Sequence, residues 1–190
     1  MSSFKKKIYQ VTDLPFTSVS SKDFLENPPV TEIKKRIQTV IKKEAPITEW
    51  LLIKRVINSF DIWRSGSSIK ELMTDVLLSM SLAKTAEHND SVYWKKQSDP
   101  ASYNEYRVFG NDDLSCRDVM QVPEAELANA LCAVLSEKGS LPYDELTRET
   151  AALMGYTKMG SNVKACMDNA VKYGIKHKKI QKKKELYALK

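Results

Sequence analysis

The residues best placed to do chemistry are six lysines near the C-terminus: Lys176, Lys178, Lys179, Lys182, Lys183 and Lys184. Ammonium groups set this closely along one segment can track a phosphate backbone. Each contact displaces condensed counterions, so affinity falls steeply with salt, and such contacts position a protein without reading bases. Between Lys172 and Lys190 stand eight lysines and one glutamate, whereas the rest of the chain sums to −1, so the net charge of +6 belongs to one end. A localised excess of this kind bears on partner choice more than a diffuse average does. A solvated basic tip that keeps the protein soluble is the plainer reading of the same run.

A second candidate occurs twice. Arg64, Ser65, Gly66, Ser67, Ser68 and Lys70 form one stretch, and Lys158, Gly160, Ser161, Asn162 and Lys164 form its counterpart. A Gly-Ser turn that opens a helix presents first-turn amides and partial positive charge to a phosphate, with Ser67, Ser68 and Lys70 beside a groove. The structural alternative is a plain helix start, with Ser65 or Ser67 as N-cap, Gly66 in a tight turn and Arg64 shielding the helix. The same two readings apply to Lys158, Ser161, Asn162 and Lys164.

Other constellations do not assemble into chemistry. His88 and His177 lack a cysteine or carboxylate at ligand spacing, and both read as surface residues. Glu32 and Lys34, with Asp23 upstream, superficially resemble a nuclease cluster, but that chemistry needs strand-borne magnesium ligands and these residues open a helix. No Ser-His-Asp or Cys-His order is present, and no phosphate loop of the Gly-x-x-x-x-Gly-Lys-Ser/Thr type. The expectation is therefore no catalytic residue, no metal, no cofactor and no enzyme. Trp50, Trp63 and Trp94 can either stack on unpaired bases or fill core and inter-module contacts; Trp63, in a turn, is the one whose exposure matters.

The elements that must position these residues follow from a repeat with an offset of 94. Glu32 pairs with Glu126, Ile37 with Leu131, Val40 with Val134, Leu52 with Leu146, Ile69 with Val163, Met73 with Met167 and Val92-Tyr93 with Leu186-Tyr187. Such ungapped self-similarity indicates an internal duplication. In the first copy, Thr31 is expected to N-cap a helix bearing Ile33, Ile37, Val40 and Ile41, which Ala45-Pro46 ends. Thr48 and Glu49 open a second helix with Leu52, Ile53, Val56, Ile57 and Phe60. A third, starting near Ser65 or Ser67, carries Ile69, Leu72, Met73, Val76, Leu77 and Met80. Leu82 to Lys84 and Val92 to Trp94 flank the polar tip Glu87-His88-Asn89-Asp90, which is a hairpin signal.

In the second copy Pro123 and Glu124 start a helix with Leu127, Leu131, Val134 and Leu135 inward, stopped by Gly139. Leu146, Ala151, Leu153 and Met154 mark the next, closed by Gly155-Tyr156. Val163, Cys166, Met167, Ala170 and Val171 mark the last, followed by a hairpin of Ile175–Ile180 against Leu186–Leu189 with Lys182 to Lys184 near its tip. Three helices and a hairpin is the winged-helix order. The expected fold is mainly α with small β-hairpins (α+β): two tandem winged-helix-like repeats at 31–95 and 123–190, the second with a basic wing. A lead-in strap occupies 1–30, with one short strand near Ile8, Tyr9 and Val11, and a connector spans 96–122, with Tyr106 to Phe109 strand-like.

Composition is consistent with a globular protein: 190 residues, 42% hydrophobic and 28% charged. Cys116, Cys132 and Cys166 lack the spacing of a disulfide framework or of metal-ligand pairs, which fits a reducing cytoplasm. No signal-type apolar stretch or membrane-length run is visible, so a soluble protein with no membrane partner is expected.

Several stretches together resemble a known family. They are Glu44-Ala45-Pro46-Ile47, Leu51-Leu52-Ile53-Lys54-Arg55-Val56, Arg64-Ser65-Gly66-Ser67, Tyr93-Trp94-Lys95, Asp99-Pro100 and Tyr103-Asn104. The second half adds Leu146-Thr147-Arg148-Glu149-Thr150-Ala151, Leu153-Met154-Gly155-Tyr156 and Gly160-Ser161. Their order, over roughly Lys7 to Lys190, resembles the domain of unknown function at the C-terminal end of large bacterial DNA helicase-related proteins of superfamily I. The resemblance implies a tail module whose ATPase motor lies outside this chain and acts with it in cis or in trans. Two functions follow as expectations: a non-catalytic module holding nucleic acid, DNA in the family context, through its backbone, or a protein-docking module of the same helicase system without DNA affinity. The second draws on the acidic Glu71, Asp75 and Asp168 of the third helices. No small-molecule substrate is expected.

Overall fold

The computed structural model describes residues 4–88 and 90–190. Met1 to Ser3, at the start of the expected strap, and Asn89, in the expected polar tip, lie outside the described residues. Along the chain the elements are β1 (Lys5–Ile8), α1 (Ser21–Glu26), α2 (Val30–Glu44), β2 (Ile47–Thr48), α3 (Glu49–Asn58), α4 (Ser67–Leu78), β3 (Lys84–Ala86), β4 (Ser91–Tyr93), β5 (Glu105–Val108), α5 (Glu124–Lys138), β6 (Leu141–Pro142), α6 (Tyr143–Leu153), α7 (Ser161–Lys176), β7 (Ile180–Lys183) and β8 (Leu186–Leu189). The fold is mixed α and β, with helix predominating and small sheets. It divides into two compact units, residues 11–98 and residues 1–10 together with 99–190.

In the unit 11–98, α2, α3 and α4 bury Ile33, Ile37, Val40, Leu52, Val56, Ile69 and Met73, the residues whose spacing marks one face of each helix. Helix α2 begins one residue before Thr31, with Pro29 at the N-cap and its carbonyl accepting from the Ile33 amide at 2.9 Å. No side chain caps this end, and Thr31 lies inside the first turn. Helix α3 is capped as its sequence implies, Thr48 Oγ1 accepting from the Leu51 amide. Helix α4 stops at Leu78, which leaves Met80 beyond it. Strands β2, β4 and β3 form an antiparallel sheet, with Ile47 opposite Tyr93 and Lys84 opposite Tyr93 on the other side.

Two buried charges tie the lead-in to this unit. Glu44 accepts from the Thr12 amide at 2.8 Å and from Arg55 Nε at 3.3 Å. Arg36 donates to Ser59 O, Ser59 Oγ and Thr17 Oγ1, with its guanidinium 3.8 Å from the centre of the Phe60 ring.

In the unit formed by 1–10 and 99–190, α5 is buried on nearly every side and packs against α6, α7 and β5. Gly139, at φ +81, ends it. The expected strand near Ile8, Tyr9 and Val11 lies instead at Lys5–Ile8, paired in parallel with β5 from Lys5↔Glu105 to Ile8↔Val108. All four of its side chains are exposed. Backbone pairing, not an apolar face, holds β1, which is why hydrophobic spacing misplaces it.

The centre of this unit is ionic. Glu126 is fully buried and accepts from Arg107 N at 2.7 Å, Arg107 Nη2 at 2.6 Å, and Arg117 Nη1 and Nη2 at 3.0 and 2.6 Å. Arg117 also donates to the Arg107 carbonyl at 2.7 Å. Tyr9 offers its ring to both guanidiniums, 4.0 Å from Arg117 and 5.0 Å from Arg107. Burial alone would raise the Glu126 carboxyl, but the two arginines outweigh it and hold the group at about 2, against an ordinary 4.5.

The last hairpin departs from expectation. Helix α7 continues through Lys176, so Ile175 and Lys176 are helical, and the paired strands are β7 and β8, with Lys182 opposite Tyr187. Gly174, inside this helix, leaves room for Ile180: a Cβ there would lie 2.7 Å from Ile180 Cδ1. Gly155, which closes α6 at φ +91, is similarly placed, since a Cβ would meet the Phe109 ring at 2.7 Å.

Three outcomes follow. Gly155→Ala combines a disfavoured φ with a clash and is expected to destabilise its unit by about 2–4 kcal/mol, measured by denaturant unfolding; full retention of stability would refute the close packing. A carboxylate with a depressed folded pKa stabilises above its ordinary value and loses that contribution as it protonates. Amide protection across α5 is therefore expected to fall as pH drops from about 4.5 towards about 2. Glu126→Gln, which leaves two buried guanidiniums without their anion, is expected to lower stability by about 3–5 kcal/mol at neutral pH.

Candidate nucleic-acid interface

Helix α7, the β7–β8 hairpin and the short segment joining them carry eight lysines. Lys164, Asp168, Lys172 and Lys176 recur every four residues, which sets them in one row along the helix. Asp168 is bonded to Lys172, so the acid on this row is matched within it. Lys164, Lys172, Lys176, Lys178, Lys182, Lys183 and Lys184 are exposed. Lys182 lies 5.7 Å from the centre of the Tyr187 ring across the hairpin. Lys184 takes φ +54 in the two-residue link to β8, beside Glu185, and Lys178 takes φ +58 just past the end of α7.

Lys179 differs from its neighbours. Its ammonium turns inward and donates to Tyr103 O at 2.8 Å and Asn129 Oδ1 at 2.7 Å, while Asn129 Nδ2 donates to the Tyr103 and Glu105 carbonyls. Burial lowers its pKa. It fastens the base of the hairpin to α5 and the segment before β5, and is a structural lysine.

The serine-capping alternative does not describe the starts of α4 and α7. Gly66 and Gly160 occupy the N-cap positions with no side-chain acceptor, and Ser67 and Ser161 are the first helical residues. Arg64, Ser67, Ser68 and Lys70 are exposed, and Ser65 is partly so; Lys158, Ser161, Asn162 and Lys164 are exposed in the other unit. On α4, however, Lys70 shares the exposed surface with Glu71 and Asp75, so the unit 11–98 lacks the lysine excess of α7.

That unit has a groove of about 370 Å³ bounded by α3, the 59–66 turn and α4, with Trp50, Ile53, Lys54, Trp63 and Lys70 among its walls. Trp94 is buried, its indole N–H given to Thr85 Oγ1. Trp63 is 68% exposed and Trp50 is 46% exposed. A groove of about 450 Å³ in the other unit is walled by Tyr143, Thr147, Arg148, Met159 and Lys164. Lys54 and Arg148 were not among the candidate contacts, yet their positions differ by 94, and the signal available was a basic residue kept at both aligned sites.

Burial pushes the Cys132 thiol up to about 12 and the Cys166 thiol to about 11, far from a thiolate at neutral pH. His177 stacks on Tyr173 with ring centres 4.0 Å apart, and its pKa is lowered by partial burial and by Lys176 and Lys179. Glu32 lies in the first turn of α2 and pairs with Arg36. Among the described residues no three His, Cys, Asp or Glu side chains converge as metal ligands, and no helix is long and apolar enough to cross a membrane.

Comparison with known proteins adds one likeness. No curated protein and no solved structure matches the chain. Residues 22–71, from α1 into α4 and including Trp50, Lys54, Trp63 and Lys70, match the family model described as a protein of unknown function (DUF3320).

Proposed function

We propose that this chain is a non-catalytic nucleic-acid-binding module built from two winged-helix-like repeats. The duplication reading draws on strand register: Ile47↔Tyr93 and Thr48↔Val92 in one unit, Leu141↔Tyr187 and Pro142↔Leu186 in the other, each position shifted by 94. Each unit also runs helix, short strand, helix, turn, helix and hairpin, with the short strand beside the second hairpin strand. Within an ungapped offset, α7 is four residues longer than α4, and the link across the second hairpin is shorter to match.

The observation that carries the function is the exposed lysine face of α7 and the β7–β8 hairpin, whose helical acid, Asp168, is already matched by Lys172. Such a face suits phosphates spaced along a backbone and carries no base-reading chemistry. The resemblance to the tail domain of helicase-related proteins makes the associated motor, in cis or in trans, the second partner. The competing reading, protein docking without DNA affinity, is favoured by α4, where Glu71, Asp75 and the apolar Leu78 are exposed.

Fluorescence anisotropy of labelled duplex and single-stranded DNA separates the two. Binding is expected to weaken at least about tenfold between about 50 and about 150 mM salt. It is expected to collapse when Lys178, Lys182, Lys183 and Lys184 are changed to glutamate. Absence of binding by the folded wild type would overturn the proposal in favour of docking. Lys179→Met serves as the internal contrast: it is expected to cost about 2 kcal/mol of stability, read by thermal unfolding, while leaving DNA affinity of the folded protein intact.

A further inference from the structure

We infer that the groove between α3 and α4 is a stacking platform for unpaired nucleobases, with Trp50 and Trp63 as its aromatic faces and Lys54 and Lys70 as its phosphate contacts. The site is distinct in sequence from the lysine face of α7 and shares with that reading only the class of ligand.

Trp63 is the strongest pointer. An indole this exposed would ordinarily gain by burying its ring. Here it is instead held out: Trp63 Nε1 donates to Asp61 Oδ1 at 2.9 Å, and Ser18 Oγ donates to Asp61 Oδ2 at 2.8 Å. The ring is thereby oriented before any ligand arrives, which lowers the entropy cost of stacking. On the facing helix, the Trp50 amide donates to Asp90 Oδ2 at 3.1 Å, and Lys54 Nζ lies 5.5 Å from the Trp50 ring centre.

Charge and size favour unpaired nucleotides over a protein partner. The groove's two carboxylates are already engaged: Glu49 accepts from Tyr93 Oη at 2.8 Å, and Asp90 accepts from the Trp50 and Ser91 amides. Lys54 and Lys70 have no carboxylate partner among the described residues and remain available to phosphate. A volume of about 370 Å³ admits planar rings but not a helix, which is about 10–12 Å across with its side chains. Single-stranded nucleic acid is bound by this combination of aromatic faces and nearby cations.

The positions 94 residues later separate the two components. Lys54 and Lys70 correspond to Arg148 and Lys164, so the cations persist, whereas Trp50 and Trp63 correspond to Asp144 and Thr157. The phosphate-binding half belongs to both grooves. The base-stacking half belongs to the unit 11–98 alone.

The test uses the full chain with a labelled thymidine oligomer about 12 nucleotides long and a blunt duplex, reading both anisotropy and tryptophan emission. The oligomer is expected to quench emission. Trp63→Ala and Trp50→Ala are each expected to weaken oligomer binding about tenfold while leaving duplex binding unchanged, and Trp63→Phe is expected to retain much of it. Circular dichroism confirms that the variants fold, as exposed positions allow. Unchanged oligomer affinity in both alanine variants, or unquenched emission at saturation, would overturn the platform and leave the groove to a protein partner. Changing Lys182, Lys183 and Lys184 to glutamate separates the two readings. Quenching that survives while duplex binding disappears supports both; duplex binding unaffected by the lysine changes, with oligomer binding still lost in the tryptophan variants, refutes the lysine face alone; duplex binding lost only in the lysine variant, with no effect of either tryptophan, refutes the platform alone.

Discussion

A single buried carboxylate organises the C-terminal unit. Glu126 draws two guanidiniums out of water, and an unpaired ion in that position costs several kcal/mol, so the site persists because both guanidiniums donate directly to its carboxylate. Arg107 reaches it from β5, Arg117 from the segment before α5, and Tyr9 closes over both from the chain's start. Three segments, one of them from the start of the chain, thus converge on one helix. Two cations against one anion leave an excess positive charge, which the Tyr9 ring, with its electron-rich face, is suited to moderate.

From that anchor the placement of the lysine face follows. With α5 fixed, α7 packs along it and spends its apolar side, Met167, Ala170 and Val171, on the core. Its opposite row of lysines is then left in water by geometry. Lys179 completes the arrangement by donating to Tyr103 O and Asn129 Oδ1, so the hairpin is held at its base while Lys182, Lys183 and Lys184 stay exposed. One lysine is surrendered to structure and the rest remain available.

What the sequence made legible was whatever hydrophobic periodicity governs. The helices bearing Ile33, Ile37 and Val40, or Leu127, Leu131 and Val134, follow from spacing because burying one face is what stabilises them. The strand β1 was misplaced because its side chains are all exposed and only its backbone is paired. The Arg107–Glu126–Arg117 cluster was invisible because charged residues ordinarily mark surface, and only the fold reveals three of them in a dry interior. Lys179 was grouped with its neighbours for the same reason: residue type does not disclose which way an ammonium turns. Trp63 could be placed in a turn, but its exposure depends on Asp61 and Ser18, which are 2 and 45 residues away.

Of the four non-glycine residues with positive φ among the described residues, three lie at or beside the proposed contacts, and the fourth, Gln97 at φ +83, does not. Asp61, Lys178 and Lys184 adopt φ of +66, +58 and +54, a region that costs a residue with a side chain about 1–2 kcal/mol and glycine almost nothing. Glycine would relieve each of them. At Asp61 it would also release the Trp63 indole and the Ser18 hydroxyl, and at Lys178 and Lys184 it would remove cations from the basic segment. Aspartate is among the side chains best able to tolerate this conformation, whereas lysine has no such advantage. Strain that a glycine could remove, retained where the side chain holds an exposed indole or supplies a cation, is the pattern expected of binding surfaces and not of packing.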